Sequence, residues 1–129
     1  MIKCILTVAM LVVPAILQTN NKKMETNSIE AKALYDAFKQ NKAEPYKKVM
    51  RISGIATYVG PDVYALPSVE LSESKDAPGR VLCVLPFGDY LKLRKVSKKD
   101  HVVMEGNVLG FADQYDIVVV KQCKIIKVN

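Results

Sequence analysis

The stretch Arg80-Val-Leu-Cys-Val-Leu-Pro-Phe87, together with Asp100-His-Val-Val-Met-Glu-Gly-Asn107, decides the fold of this chain. Both runs are rich in aliphatic and β-branched residues, which predicts two strands, and Gly88-Asp89 predicts a turn directly after the first one. A basic connection of a length that suits a short helix or a loop separates the two runs. Because two strands alone cannot bury an apolar face, we expect the other strands of the chain to close around this pair.

One helix is predicted before the strands. Asn27 and Glu30 have the spacing of a capping box, so the helix is expected to start there. It is expected to end near Asn41, because Pro45 prevents its continuation. Apolar residues recur at helical spacing on one face of this segment: Ala31, Leu34, Ala37 and Phe38.

Three further strands are predicted from the hydrophobic pattern. Residues 48–58 alternate between apolar and polar side chains, with Gly54 at a position that suits a bulge or bend. Residues 63–71 follow a turn at Gly60-Pro61-Asp62, and residues 115–128 are rich in β-branched side chains. A β-sandwich usually needs about seven strands. One helix and five short strands instead predict an all-β domain, a five-stranded Greek-key barrel of the oligonucleotide/oligosaccharide-binding type (OB-fold).

The start of the chain predicts an export signal. Lys3 precedes an unbroken apolar run over residues 5–17, after which the sequence becomes abruptly polar. As a helix this run would span about 20 Å, against roughly 30 Å for the hydrocarbon core of a bilayer. We therefore assign residues 1–17 to a signal peptide, with an uncleaved membrane anchor as the alternative, residues 18–27 to a linker and residues 28–129 to the barrel domain. The expected location is periplasmic.

Several short motifs spread over residues 30–128 add a family resemblance. They include Ala33-Leu-Tyr35-Asp-Ala-Phe38, Asn41-Lys-Ala43-Glu-Pro-Tyr46, Val81-Leu-Cys83, Glu105-Gly106 and Val120-Lys-Gln-Cys123. In this order they resemble the tRNA-anticodon-like OB-fold family of exported bacterial proteins. The resemblance implies an exported or lipoprotein-type barrel, named by analogy with nucleic-acid-binding relatives, whose activity is generally unassigned. The chain differs from lipoprotein members because no lipid-receiving cysteine follows the apolar run.

Residues that carry catalysis or bind metals are sparse. The single histidine, His101, lies beside Asp100, and no nucleophile with a base at recognisable spacing accompanies it. One histidine and two distant cysteines match none of the closely spaced zinc-ligand patterns, and no glycine-rich phosphate loop is present. The sequence therefore predicts a non-enzymatic protein without a cofactor or metal, in which His101 is a surface or turn residue.

Cys83 and Cys123 are a candidate disulfide. They are the two cysteines that remain when the export signal is removed, and they fall in strands that are neighbours in an OB barrel. Closing a loop of about forty residues would stabilise the fold by roughly 4 kcal/mol in the chain-entropy model. The alternative is a pair of buried thiols that act as small hydrophobic side chains.

OB-folds bind ligands across their second and third strands, between two flanking loops. Here those loops contain Asp62 and Asp113, and Glu70 lies on the second predicted strand, so the groove is expected to be net negative. A phosphate backbone needs a positive groove, whereas acids and aromatic side chains suit an oligosaccharide, a peptide or a protein partner. Phe87 and Phe111 are interpreted as packing residues. The predicted ligand-binding rim consists of Tyr58, Asp62, Tyr64, Asp113 and Tyr115.

A cluster of basic residues supports a different function. The cluster lies between the third and fourth predicted strands, away from the usual OB-fold groove, and would give weak, salt-sensitive nucleic-acid binding. We therefore hold two hypotheses of different kinds, a rim that binds a neutral or basic ligand and, as the alternative, a basic cluster that binds nucleic acid. An enzyme with an unrecognised site is disfavoured. The basic cluster consists of Lys92, Arg94, Lys95, Lys98 and Lys99.

Overall fold

The computed structural model describes residues 27–129, which form a closed barrel with an N-terminal helix. The predicted signal peptide and nearly all of the predicted linker lie outside these residues. Within the described part of the chain, no helix has the length and apolar character needed to cross a bilayer. The elements are β1 (Ser28–Glu30), α1 (Ala31–Lys39), a 3-10 turn (Glu44–Tyr46), β2 (Val49–Pro61), β3 (Pro67–Ser72), β4 (Val81–Val84), a second 3-10 segment (Phe87–Lys95), β5 (His101–Ala112) and β6 (Ile117–Val128).

The strand order is β1-β2-β3-β4-β6-β5, and a further pairing of β2 with β5 closes the barrel. The β4–β6 pair is parallel, and the other pairs within the five-stranded barrel are antiparallel. The long strand β2 pairs with β5 along its first half and with β3 along its second half. The predicted five-stranded OB-fold barrel with one N-terminal helix is confirmed.

The barrel interior is filled by alternating side chains from all five strands. Leu34 of α1, Ile52 of β2 and Leu71 of β3 are fully buried in one cluster with residues of β4, β5 and β6. Successive side chains in a strand point to opposite faces, so the residues between them face outward. Residues 27–129 therefore have a hydrophobic core of their own.

The start of the helix differs from the prediction. Residues 28–30 form the short strand β1, parallel to Arg51–Ser53 of β2, and the helix begins only at Ala31. Glu30 takes the N-cap position with an extended backbone and makes no side-chain capping bond, so the predicted capping box is wrong. Pairing with β2 takes the place of the capping box that the sequence predicts. The Asn27 carbonyl accepts a hydrogen bond from the Arg51 N–H, and residues 28–30 therefore continue as a strand.

The end of the helix matches the prediction. Asn41 has a φ of 59°, in the left-handed region that Asn tolerates better than most residues. The Lys42 N–H bonds to the Ala37 carbonyl, and the Asn41 N–H bonds to the Phe38 carbonyl, which is the pair of bonds of a Schellman motif.

Gly54 serves a different purpose from the predicted bend. It pairs regularly with Val102 of β5, and the irregularity in β2 lies further on, between Ala56 and Tyr58. A Cβ at Gly54 would lie 2.9 Å from the Ser72 carbonyl oxygen and 3.1 Å from the Ala31 Cβ. The glycine therefore allows α1 and β3 to approach β2 closely.

Candidate functional site: the groove across β3, β4 and β6

A groove of about 950 Å³ lies on the outer face of the barrel. Its floor is formed by residues directly opposite one another in neighbouring strands: Tyr58 pairs with Glu70, Glu70 with Leu82, and Leu82 with Val119. One row of side chains therefore crosses four strands on the outward face. Ile117 and Lys121 extend the floor along β6.

All five predicted rim residues line this groove: Tyr58, Asp62, Tyr64, Asp113 and Tyr115. Tyr64 and Asp62 come from the turn between β2 and β3, whereas Asp113 and Tyr115 come from the turn between β5 and β6. The Tyr64 side chain is 77% exposed and the Tyr115 side chain 58% exposed. Two exposed aromatic rings thus stand on opposite turns of one groove, where they can contact a ligand from two sides.

The turn that carries Tyr64 is fixed by Asp62. The Asp62 Oδ1 atom accepts hydrogen bonds from the N–H groups of Tyr64 (2.8 Å) and Leu66 (2.9 Å). Ala65, with a φ of 66°, completes the turn. Residues 62–66 are therefore a turn, and β3 begins at Pro67, later than the predicted strand start at residue 63. One carboxylate oxygen of Asp62 is engaged by the backbone, so Asp62 shapes the rim as well as lining it.

Tyr58 is also held by the chain itself. Its hydroxyl donates a hydrogen bond of 2.6 Å to the Pro61 carbonyl, and the ring lies against Gly60. Gly60 has a φ of 157°. The Tyr58 ring is consequently fixed at the edge of the floor, whereas Tyr64 and Tyr115 extend from the turns.

Glu70 occupies the middle of the floor. It is half-buried, and among residues 27–129 its carboxylate has no hydrogen-bond or ion-pair partner. Burial raises the pKa of the Glu70 carboxyl above its usual value. The carboxylate packs against Gly79, where a side chain would occupy the same space. An unpaired carboxylate in a partly desolvated groove lowers the stability of the folded state. The same carboxylate favours binding of a ligand that supplies a cation or a hydrogen-bond donor.

The charges that line the groove are three acids, Asp62, Glu70 and Asp113, and one base, Lys121. This agrees with the negative groove expected from the sequence. The floor between them is apolar, with Leu82, Ile117 and Val119. The groove thus offers aromatic and aliphatic contact surfaces with excess negative charge, a combination that opposes a phosphate backbone.

The basic cluster lies outside the groove. Lys92, Arg94 and Lys95 belong to the Phe87–Lys95 segment, and Lys98 and Lys99 belong to the turn that follows it. All five side chains belong to exposed residues, and Lys92 pairs with Asp89 at 3.5 Å. The interpretation of Phe87 as a packing residue is wrong, because its side chain is 73% exposed. Phe111 does pack, against the rings of Tyr35 and Phe38.

Cys83 and Cys123 are both buried, and both are free thiols in the structure. The adjacent Cys123 sulfur, together with burial, raises the pKa of the Cys83 thiol well above its usual value. The Cys123 thiol donates to the Val120 carbonyl at 3.4 Å. The two sulfurs are therefore neighbours in the core, and a bridge between them stays a prediction.

His101 lies exposed at the start of β5, beside a second cavity of about 180 Å³. Ser72 also lines this cavity, and its buried hydroxyl has no hydrogen-bond partner among the described residues. Residues 27–129 contain no group of three or more His, Cys, Asp or Glu side chains placed to hold a metal ion.

Known protein families provide a comparison that is independent of the groove. The model of the tRNA_anti-like family matches residues 4–124, which is nearly the whole chain. The chain belongs to the tRNA_anti-like family. A search of curated proteins finds no match.

One solved structure supports the fold of this tRNA_anti-like domain. A crystal structure described as a "putative nucleic acid-binding lipoprotein" from Klebsiella pneumoniae is similar, with a TM-score of 0.60. The two are 13% identical, and the match covers 78% of this chain and 91% of that one. The OBody AM3L15 bound to hen egg-white lysozyme matches with a TM-score of 0.44 and 18% identity over 63% of this chain and 78% of that one. At 13% identity, the Klebsiella similarity shows the fold.

Sequence reasoning found the rim of the groove but missed most of its floor. The sequence pattern places Leu82, Val119 and Lys121 in strands and predicts no ligand role for them, and it indicates Glu70 only as a contributor to the negative charge of the groove. Strand alternation places Leu82 on the outward face, since both Val81 and Cys83 are fully buried. The cross-strand register that puts Glu70, Leu82 and Val119 in one row needs the three-dimensional structure.

Proposed function

We propose that this tRNA_anti-like barrel is a non-enzymatic binding module that holds an extended ligand in the groove across β3, β4 and β6. The ligand is a neutral or basic one: an oligosaccharide, a peptide or a segment of a protein partner. The proposal rests on one observation, that one groove with an apolar floor is lined by all five rim residues: Tyr58, Asp62, Tyr64, Asp113 and Tyr115. We also propose that the protein acts after export, in the periplasm or anchored at the membrane.

The lining supports this class of ligand on physical grounds. Flat tyrosine faces stack on sugar rings and on planar or aliphatic side chains, and burial of the apolar floor adds to the binding free energy. Carboxylates accept hydrogen bonds from sugar hydroxyls and from ammonium or guanidinium groups. The same carboxylates repel phosphates, so a nucleic-acid strand in the groove is disfavoured.

The test is an NMR titration of the ¹⁵N-labelled domain, residues 27–129, with two probes, chitohexaose and a hexapeptide of alternating lysine and glycine. Binding of either probe is expected to shift backbone amides of β3, β4 and β6 around Glu70, Leu82 and Val119. The double variant Tyr64→Ala/Tyr115→Ala is expected to weaken this binding by about tenfold, because each exposed ring contributes about 0.5–1 kcal/mol in contact with a cation and also buries apolar surface.

Phe87→Ala is the matched control, because it removes an exposed aromatic ring outside the groove. It is expected to leave the affinity of the probe unchanged. Shifts located away from the groove, or equal weakening by Phe87→Ala and by the tyrosine variants, would contradict the proposed site.

Nucleic-acid binding through the basic cluster is the second candidate function. It is favoured by the unpaired side chains of Arg94, Lys95, Lys98 and Lys99, which have no ion-pair partner among residues 27–129. About five phosphate contacts to a single strand predict a log–log salt slope near −3 to −4. Fluorescence anisotropy with a labelled oligo(dT) measures this slope, and the triple variant Lys92→Gln/Arg94→Gln/Lys95→Gln should abolish binding. If substitution of the tyrosine rim alone removed oligonucleotide binding, the argument from charge would be wrong.

A further inference from the structure

The segment from Phe87 to Lys99 carries the whole net charge of the described domain. Residues 27–129 contain 16 Lys and Arg and 12 Asp and Glu, an excess of four positive charges. Residues 87–99 contain five basic residues and one acid, which is also an excess of four. The remaining 11 basic and 11 acidic residues balance. The net positive charge of the domain therefore equals that of this one short segment.

The same segment exposes large apolar side chains. Phe87 is 73% exposed, Leu91 is 71% exposed and Tyr90 is 37% exposed, and the backbone bends between Phe87 and the other two at Asp89. These residues do not line the groove, so they form a surface of their own. The segment is not a regular amphipathic helix. Its exposed apolar side chains nevertheless lie in the same short stretch as its cations, and these are the two kinds of group that contact the interface of an anionic membrane.

The segment is anchored from beneath. Leu93 and Val96 are buried in the hydrophobic cluster, and the Lys99 N–H bonds to the Ala56 carbonyl of β2 at 2.7 Å. Leu93 and Val96 hold this part of the segment on the barrel, and the residues on either side of them, Leu91, Lys92, Arg94 and Lys95, are exposed. The surface is therefore preformed.

We propose that the surface formed by Phe87, Tyr90 and Leu91 with the basic cluster docks on an anionic phospholipid bilayer. Phe87 and Leu91 enter the boundary between headgroups and acyl chains, and the lysine and arginine side chains contact the lipid phosphates. Leu91 favours a lipid bilayer over nucleic acid as the partner. An aliphatic side chain cannot stack on bases as an aromatic ring does, whereas a bilayer buries it.

The experiment is sedimentation of the domain, residues 27–129, with vesicles of phosphatidylcholine and with vesicles of an equimolar mixture of phosphatidylcholine and phosphatidylglycerol. The domain has its own hydrophobic core, and leaving out residues 5–17 keeps that apolar run from contributing to binding. The domain is expected to bind the mixed vesicles, to bind phosphatidylcholine vesicles far more weakly, and to dissociate as salt rises.

Two variants test the two kinds of contact. Leu91→Ser is expected to weaken vesicle binding by about tenfold, since it removes an apolar side chain from the lipid contact. Lys92→Gln/Arg94→Gln/Lys95→Gln is expected to weaken it by about a hundredfold. Leu109→Ser, an equally drastic change at an exposed leucine of β5, and Lys42→Gln/Lys47→Gln/Lys48→Gln are the matched controls and should have little effect. Thermal melts by circular dichroism verify that each variant is folded.

Three results would overturn the proposal. These are equal binding to both kinds of vesicle, equal losses in the Leu91 and Leu109 variants, and the absence of vesicle binding at low salt. If the domain bound oligo(dT) instead of vesicles, and Leu91→Ser left that binding unchanged, the surface would be the nucleic-acid site of the second candidate function.

Discussion

Gly106 is buried in β5, at a point where the pairing with β6 shifts register. A Cβ atom there would lie 2.6 Å from the Cys123 Sγ atom and 2.8 Å from the Val120 Cγ1 atom. We predict that Gly106→Ala lowers the free energy of unfolding by about 1–3 kcal/mol, the usual cost of overpacking a core. Urea denaturation measures this change. Gly88→Ala is the control, because its Cβ would meet nothing within 4 Å, and equal stabilities of the two variants would contradict the packing described here.

Glu70 lies in the floor of the groove, and its partial burial affects the stability of the fold. Its folded-state pKa is raised by burial, so the folded protein holds this proton more tightly than the unfolded chain does. The stability that comes from this tighter binding of the proton is fully present when the pH is below the pKa of Glu70 in the unfolded chain, about 4.3. It is lost as the pH rises through the higher pKa of Glu70 in the folded protein. At neutral pH the ionised, unpaired carboxylate therefore destabilises the fold.

We predict that Glu70→Gln is more stable than the original protein at pH 7, by less than about 1 kcal/mol because the side chain is only half-buried, and equally stable near pH 3. Urea denaturation at both pH values measures the difference. Asp76→Asn, which removes a charge in the exposed loop before β4, should show no such pH-dependent gain. A loss of stability in Glu70→Gln at pH 7 would mean that the carboxylate has a stabilising partner.

At the scale of elements, the helix α1 is attached to the barrel by a polar contact with Asp116 in the turn between β5 and β6. The Tyr35 hydroxyl donates to both carboxylate oxygens of Asp116, at 2.8 and 2.9 Å, and Lys39 Nζ lies 3.2 Å from Asp116 Oδ1. The Arg80 guanidinium lies 4.4 Å from the centre of the Tyr35 ring. The bond from Tyr35, followed by that from Lys39, lowers the pKa of the Asp116 carboxyl below its usual value.

We predict that Tyr35→Phe lowers the thermal midpoint at pH 7 and that this difference shrinks in acid. The stability contributed by Asp116 is present above its unfolded pKa of about 3.9 and is lost as the pH falls through its lower folded pKa. Tyr115→Phe, which removes an exposed hydroxyl, is the control. A deficit in Tyr35→Phe that stayed constant down to pH 2 would exclude a role for the Asp116 charge.

The sequence predicted the long elements better than the short ones. Alternation over β2 and the β-branched run of β6 persist over many residues, so local pattern and tertiary pairing agree there. The three residues of β1 carry too short a pattern, and their role depends on the backbone of Arg51, far away along the chain. The same holds for residues 62–66, whose turn is stabilised by the Asp62 side chain and not by hydrophobic periodicity.

At the scale of the whole molecule, residues 27–129 present two different surfaces, an acidic one and a basic one, and each of them has exposed aromatic side chains. The groove gathers exposed tyrosines with three acids and one base, and the Phe87–Lys99 surface gathers exposed apolar side chains with the excess positive charge. The rim was predictable because OB-fold loops occupy known positions along the chain, whereas the exposure of Phe87 and Leu91 depends on which side of a short 3-10 segment faces the core.

The measurement that tests the groove most directly is an NMR titration of the domain, residues 27–129, with the lysine-glycine hexapeptide and, separately, with oligo(dT) at low salt. We predict that the hexapeptide shifts amides of the groove floor around Leu82 and Val119, and that oligo(dT) leaves them unchanged. The reverse result, with oligo(dT) shifting the floor and the hexapeptide leaving it unchanged, would contradict the central claim that this groove holds a neutral or basic ligand.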